Sequence, residues 1–238
     1  MKADLHVHTL LSPCGDIDMT PRDIILKARE RGIGLVAITD HNSTRQAPLV
    51  QELGRAAGVT VLAGAEVTTR EEVHCVVLLP GEGERREFQR FLDERLPDVP
   101  NDPERFGYQV VIDERDDVIH EEPRLLISAL DSGIEEVEAF AHRLGGLFIP
   151  AHVDKPRDSI LSQLGFVPPE LVCDALELSR HADLPALLSA HPFLGRYPLL
   201  RSSDAHYLAE VGAAYTELPL GRDPSFPDIR AAIRAASP

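Results

Sequence analysis

In the run ADLHVHT, residues 3–9, Leu5 and Val7 alternate with His6 and His8. Alternation with a period of two marks a half-buried strand, and side chains two apart leave a strand on one face. His6 and His8 therefore project together, at a spacing that lets two imidazoles grip one divalent ion. A His-x-His pair alone reads equally well as two surface residues of an amphipathic strand. Its weight comes from the rest of the chain, where further strand-like runs also end in ligand residues. LVAITDHN ends in Asp40 and His41, TVLAGAEVTT carries Glu66, LFIPAHVD carries His152, and LLRSSDAH ends in Asp204 and His206.

Helical stretches separate most of these runs. Thr20 reads as an N-cap, with Pro21 at the first position of PRDIILKARERG, a helix that stops at Gly32. A second helix near Pro48–Ala57 ends at Gly58. Between TVLAGAEVTT and EEVHCVVLLP the connection is too short for a crossover helix. The second run is therefore expected to return antiparallel, carrying His74 back beside Glu66. Glu84–Leu96 and Ile134–Leu144 read as helices, QVVIDERDDVI as a hairpin or excursion on the rim, and DALELS as a further strand. A helix near Leu184–His191, the short strand GAAYTELP and the helix PDIRAAIRAA complete the chain. Strands alternating with helices imply a mostly parallel sheet, and no repeat or shift of composition marks a second domain, so residues 1–238 are expected to form one domain. Ligands gathered from so many strand ends favour a closed α/β barrel with its site on the C-terminal face. A doubly wound open sheet would place its site at one switch point.

Composition narrows the function. The formal charge of −15 disfavours a broad basic nucleic-acid face. It leaves anionic substrates open, because clustered divalent ions invert the local potential. Cys14, Cys75 and Cys173 are far apart with no C-x-x-C, which argues against a disulfide framework and a thiolate zinc site. No apolar run reaches membrane-spanning length, and the first strand begins almost at the first residue, so a cytoplasmic location without signal peptide is expected.

The ligand candidates are His6, His8, Asp16, His41, Glu66, His74, His152, Asp204 and His206. They are too many for one tetrahedral ion and suit two or three ions that share carboxylates. Nitrogen and oxygen donors without thiolate favour zinc, manganese or iron. Asp40 reads as a partner that fixes a ring tautomer. Arg180 and Lys155 follow strand ends and are candidate phosphate clamps. His120, His142, His181 and His191 read as ordinary surface or satisfied histidines.

In order, H-x-H-T at the start, T-D-H, G-x-E-V, a lone His, P-A-H and a late S-D-A-H resemble the PHP (polymerase and histidinol phosphatase) superfamily from Leu5 to His206. The resemblance implies a distorted, TIM-like (β/α)7 barrel with a trinuclear site that hydrolyses phosphate esters. The implied substrate is a small phosphorylated molecule or short nucleotide, attacked by a hydroxide that bridges two ions. By the same resemblance, His6, His8, Glu66 and Asp204 hold one ion, and Glu66 bridges to a second held with His74 and His152. His41, His206 and Asp16 hold a third, and Glu66, Asp204 and His206 are the catalytic residues. The chain departs from the family pattern where Ser12 is followed by Pro13, Cys14 and Gly15 before Asp16, so Cys14 and Asp18 compete for that place. An amidohydrolase acting on C–N bonds and a non-catalytic, metal-stabilised scaffold are the alternative readings.

Overall fold

The computed structural model describes residues 1–236. It begins with β1 (Lys2–Val7), α1 (Pro21–Glu30), β2 (Leu35–Ile38), α2 (Ala47–Ala57), β3 (Thr60–Thr68) and β4 (His74–Leu79). The middle holds α3 (Glu82–Arg95), α4 (Pro103–Phe106), β5 (Val110–Ile112), β6 (Val118–Glu121), α5 (Ile134–Arg143) and β7 (Leu147–Pro150). The last third holds α6 (Ile160–Leu164), β8 (Leu176–Leu178), α7 (Leu184–Ala190) and a 3₁₀ turn (Pro192–Arg196). β9 (Leu199–Arg201), β10 (Thr216–Glu217) and α8 (Phe226–Arg234) close it.

Local chemistry sets these boundaries. Thr20 Oγ1 accepts from Asp23 N at 3.2 Å ahead of Pro21, and α1 then buries Ile24, Ile25 and Ala28. α2 stops at Gly58, whose φ of +73° closes the last turn.

Six strands form one sheet in the order β10–β1–β2–β3–β4–β7. β1, β2 and β3 run parallel, while β4 is antiparallel to both β3 and β7. The expected antiparallel return is thus present, as is the rim hairpin, β5 with β6. β8 and β9 form a separate parallel pair. Single hydrogen bonds carry the curl onward: Asp174 N to Phe148 O (3.0 Å) and Val153 N to Glu177 O (2.8 Å) tie β7 to β8. His8 N to Ala205 O (3.0 Å) ties the segment after β9 back to β1. The α/β barrel is as expected, with its ring completed by isolated bonds instead of full ladders.

The alternation in β1 is not continuous. Ala3 and Leu5 pack with Val76, Leu147, Leu200 and Ile229 of α8, whereas Val7 packs with Ile24 and Ile25 of α1. The register against β2 shifts between Asp4 and Val7, which re-aims the strand just before its end. Among the described residues, no helix is long and apolar enough to cross a membrane.

Candidate metal centre

Glu66, 1% exposed near the end of β3, is the meeting point. Its Oε1 lies 2.9 Å from His74 Nδ1, 3.1 Å from His152 Nε2 and 3.3 Å from His6 Nε2. Its Oε2 lies 3.1 Å from His41 Nδ1 and 3.3 Å from His8 Nε2. Asp204 Oδ1 stands 3.5 Å from His6 Nε2 and 3.4 Å from His8 Nε2. The His206 ring stacks on His8 with centroids 4.1 Å apart.

Strand register explains the arrangement. Thr68 pairs with His74 in the β3–β4 ladder, so His74 is one diagonal step from Glu66. His41 bridges to Glu66 just beyond the end of β2. Asn42 (φ +46°), His152 (φ +32°) and Asp204 (φ +53°) adopt left-handed backbone at or beside ligand positions, each at a cost of order 1–3 kcal/mol. The Asp204 loop is pinned from below by the buried Asp4, which accepts from Ser203 N (2.9 Å), Ser203 Oγ (2.6 Å) and Gly212 N (2.8 Å). Burial raises the Asp4 carboxyl to about 6 despite these donors.

Proton accounting tests whether these residues fit a cation. His6 Nδ1 donates to Glu177 Oε1 at 2.9 Å. Ser12 Oγ gives its one proton to Asp40 Oδ1 (2.8 Å), so at its 2.9 Å contact with His8 Nδ1 the hydroxyl accepts and the ring donates. In the neutral rings both Nε2 atoms are then bare, yet they stand 3.2 Å apart and face the oxygens of Glu66 and Asp204. Among the described residues, His152 Nδ1 is buried with no hydrogen-bond partner, and His41 Nδ1, although 3.1 Å from Glu66 Oε2, is not aligned for a hydrogen bond. Lone pairs facing lone pairs in a dry pocket are the electrostatic demand that a divalent ion meets, and the donor set fits one.

The titration of these groups has the same origin. Burial opposes a charge on His6, but Glu177, Glu66 and Asp204 outweigh it and hold the ring well above the ordinary histidine range. Burial likewise opposes protonation of His8, yet its bonds to Asp204 and Glu66 raise it. Burial would raise Glu66, and the surrounding rings His74, His6 and His41 instead hold it well below the usual carboxylate range. Burial drives His41 well down, and lowers His206 to about 4.

Among the described residues, three groups of potential ligands gather closely enough for an ion: His6–His8–Glu66–Asp204, His41–Glu66–His74 and His8–His41–His206. His152 is in none of these groups, though its Nε2 lies 3.1 Å from the same Glu66 oxygen that His74 approaches at 2.9 Å. Asp16 is not brought into any of them. Its Oδ1 closes a turn by accepting Asp18 N at 2.9 Å, and its backbone N donates to His206 O at 2.9 Å. The inserted Pro13–Gly15 loop lets Asp16 satisfy itself locally. Cys14 and Asp18 do not join either, although Cys14 lines the mouth.

Lys155 is placed at the site with Nζ 2.5 Å from Asp204 Oδ2. Arg180 stands farther out, paired with Glu210 at 2.8 Å. Asp40 bonds no imidazole itself: it accepts from Thr9 and from Ser12 Oγ (2.8 Å), and Ser12 in turn meets His8 Nδ1. Sequence reading missed Glu177, Ser12 and Asp4. Glu177 carried a signal, an acid in the middle of the apolar strand DALELS, and so did Asp4, an acid inside the opening strand.

The curated protein YqxK of Bacillus subtilis, itself uncharacterised, is 27% identical over 248 residues, covering 91% of this chain and 57% of that protein. The 5′-3′ exoribonuclease Rnm of Escherichia coli is 36% identical over 80 residues, 32% of this chain and 26% of that one. The lesion-specific endonuclease PfuEndoQ of Pyrococcus furiosus shares the fold with a TM-score of 0.71 at 23% identity, over 98% of this chain and 55% of that one. The chain spans about half the length of the curated relatives YqxK and MJ1587. The PHP-associated family matches residues 196–238, which include Asp204 and His206. The PHP domain family itself matches residues 4–153, the span that brings His6, His8, His41, His74 and His152 around Glu66, and it is to this family that the chain belongs.

Proposed function

We propose that this chain hydrolyses a phosphate ester, a phosphomonoester or a nucleotide phosphodiester, at a two- or three-ion centre organised by Glu66. The observation that carries the reading is one buried carboxylate within 3.3 Å of His6, His8, His41, His74 and His152. His6, His8, Glu66 and Asp204 would hold one ion; Glu66, His74 and His152 would hold a second. His41 and His206 offer a third, weaker place, which Asp16 completes only by opening its turn. Bound zinc, manganese or iron supplies a Lewis acid that makes water nucleophilic near neutral pH and offsets phosphoryl charge.

The protein's own groups prepare that chemistry. Lys155, kept protonated by Asp204 against the pull of burial, presents its remaining N–H groups at the mouth, where a phosphoryl oxygen accepts them. His206 Nδ1 faces the Asp204 carbonyl at 2.9 Å, and burial lowers the ring's pKa, so in the neutral ring that nitrogen's proton is engaged and Nε2 carries none. Asp204 is held ionised by His6 and His8 despite its burial. This supports holding roles for both residues, with the leaving alkoxide taking its proton from water. That Rnm is named an exoribonuclease and the structural neighbour an endonuclease supports a phosphodiester or nucleotide substrate.

The test is a screen of phosphate mono- and diesters on protein of measured metal content. Two to three ions per chain are expected, with turnover lost to a chelator and restored by metal. Fewer than one tightly held ion after reconstitution would overturn the centre. A metal-loaded protein inert on every phosphate ester but active on a cyclic amide would move the chain to the C–N hydrolase class.

A further inference from the structure

Glu177 stands in the middle of β8, 2% exposed, between the buried Leu176 and Leu178. A carboxylate sealed into an apolar strand is costly unless it is paired and hydrogen-bonded. The partners that Glu177 finds are two candidate ligands on two other elements. Its Oε1 accepts from His6 Nδ1 at 2.9 Å and from the backbone N–H of His152 at 3.3 Å. Its own backbone carbonyl accepts from Val153 N at 2.8 Å, so side chain and main chain together hold the segment that carries His152.

The two rings served in this way are stacked, with centroids 6.0 Å apart and planes 18° from parallel. At their far ends both Nε2 atoms approach one oxygen, Glu66 Oε1, at 3.3 Å for His6 and 3.1 Å for His152. A closed circuit results, with two imidazoles standing between two buried carboxylates. The support differs in kind for the two rings. For His6, a carboxylate that takes the Nδ1 proton leaves Nε2 bare and makes it a stronger donor to a cation. Among the described residues His152 Nδ1 has no hydrogen-bond partner, so Glu177 steadies that residue through its backbone, where φ is +32°.

We propose, on the two-ion reading of the centre, that Glu177 is a positioning residue that couples the two ion places, fixing the His6 ring for one and the His152 backbone for the other. Glu66 joins the places on the side of the ions, and Glu177 joins them behind the ligands. It thereby sets the spacing at which the two rings converge on Glu66. Its charge acts on His6, whereas for His152 any acceptor at Oε1 serves.

Zinc titration of the metal-free protein against a competing chelator, with the histidine ring nitrogens followed by 15N NMR, reads the two places separately. Glu177→Gln retains an oxygen that accepts from both groups and loses the charge. Zinc affinity read at the His6 ring should fall on the order of tenfold to a hundredfold, and at the His152 ring by less than about threefold. Glu177→Ala removes the acceptor, and affinity should fall at both places; Glu177→Gln decides alone if the alanine protein does not fold. Folded variants that bind two ions as tightly as wild type, and differ only in Tm, would reduce Glu177 to a filler of the barrel and overturn the coupling. Equal weakening of both places by Glu177→Gln overturns it as well, because the charge would then serve neither ring in particular. A wild type that takes up fewer than two ions overturns the two-ion reading, and the coupling with it.

Discussion

Two clusters of histidine and carboxylate lie at opposite ends of the barrel strands. At the amino ends, His142 Nδ1 meets Glu138 Oε1 at 2.5 Å and Nε2 meets Asp174 Oδ2 at 2.9 Å. Asp174 also accepts from Phe148 N at 2.8 Å and from Arg234 Nε at 2.7 Å, which ties α5, β7 and α8 together. Both ring nitrogens have acceptors and the carboxylate has donors. At the carboxyl ends, the Nε2 atoms of His6 and His8, unprotonated in the neutral rings, face each other and the oxygens of Glu66 and Asp204. The same residue types thus do different work: a saturated network holds elements together, and a surplus of lone pairs waits for a cation. Burial and residue identity alone would not separate the two.

Removing metal should expose the largest difference. With an ion present at about a hundred times its Kd, linkage adds about 2.7 kcal/mol. For a chain of this size that is roughly 5–10 °C in Tm. A chelator is expected to lower the wild-type Tm by at least that amount and to lower the Tm of Asp204→Asn, which keeps the place at Glu66, His74 and His152, by clearly less. An equal chelator effect in both proteins would break the distinction.

His142 gives a smaller, pH-dependent effect. Its pKa is raised, chiefly by the hydrogen bond to Asp174. Folding therefore takes up a proton on His142, and the gain is fully present below the unfolded value near 6.5 and fades as pH rises through the folded value. His142→Ala should cost about 2 kcal/mol by urea unfolding at pH 6, on the scale of hydrogen bonds to charged groups, and less at pH 9, with metal content unchanged. A cost that grows with pH would reverse the sign assigned to this latch.

Much of the mouth was legible because ligand chemistry coincides with strand ends. His41, Glu66, His152, Asp204 and His206 follow apolar runs, and the short connection alone fixes His74 beside Glu66. What escaped depends on contacts between distant segments. Glu177 and Asp4 support His6 and the Asp204 loop from 171 and 199 residues away. Asp16 looked like a ligand by motif, but the longer loop gives its carboxylate a local partner in Asp18. The register shift within β1 was hidden by a sequence that alternates through it.

The central claim is that Glu66 joins two cations in one phosphoesterase site, and Glu66→Gln tests it most directly. The amide keeps the shape and removes the charge, and it bridges metals poorly. Turnover of whichever phosphate ester the wild type hydrolyses should fall at least about a hundredfold, on the order of 3 kcal/mol of barrier. At least one ion should be lost, and the circular dichroism of the barrel should stay unchanged. A folded Glu66→Gln protein that keeps its full metal content and hydrolyses the ester at the wild-type rate would contradict the account.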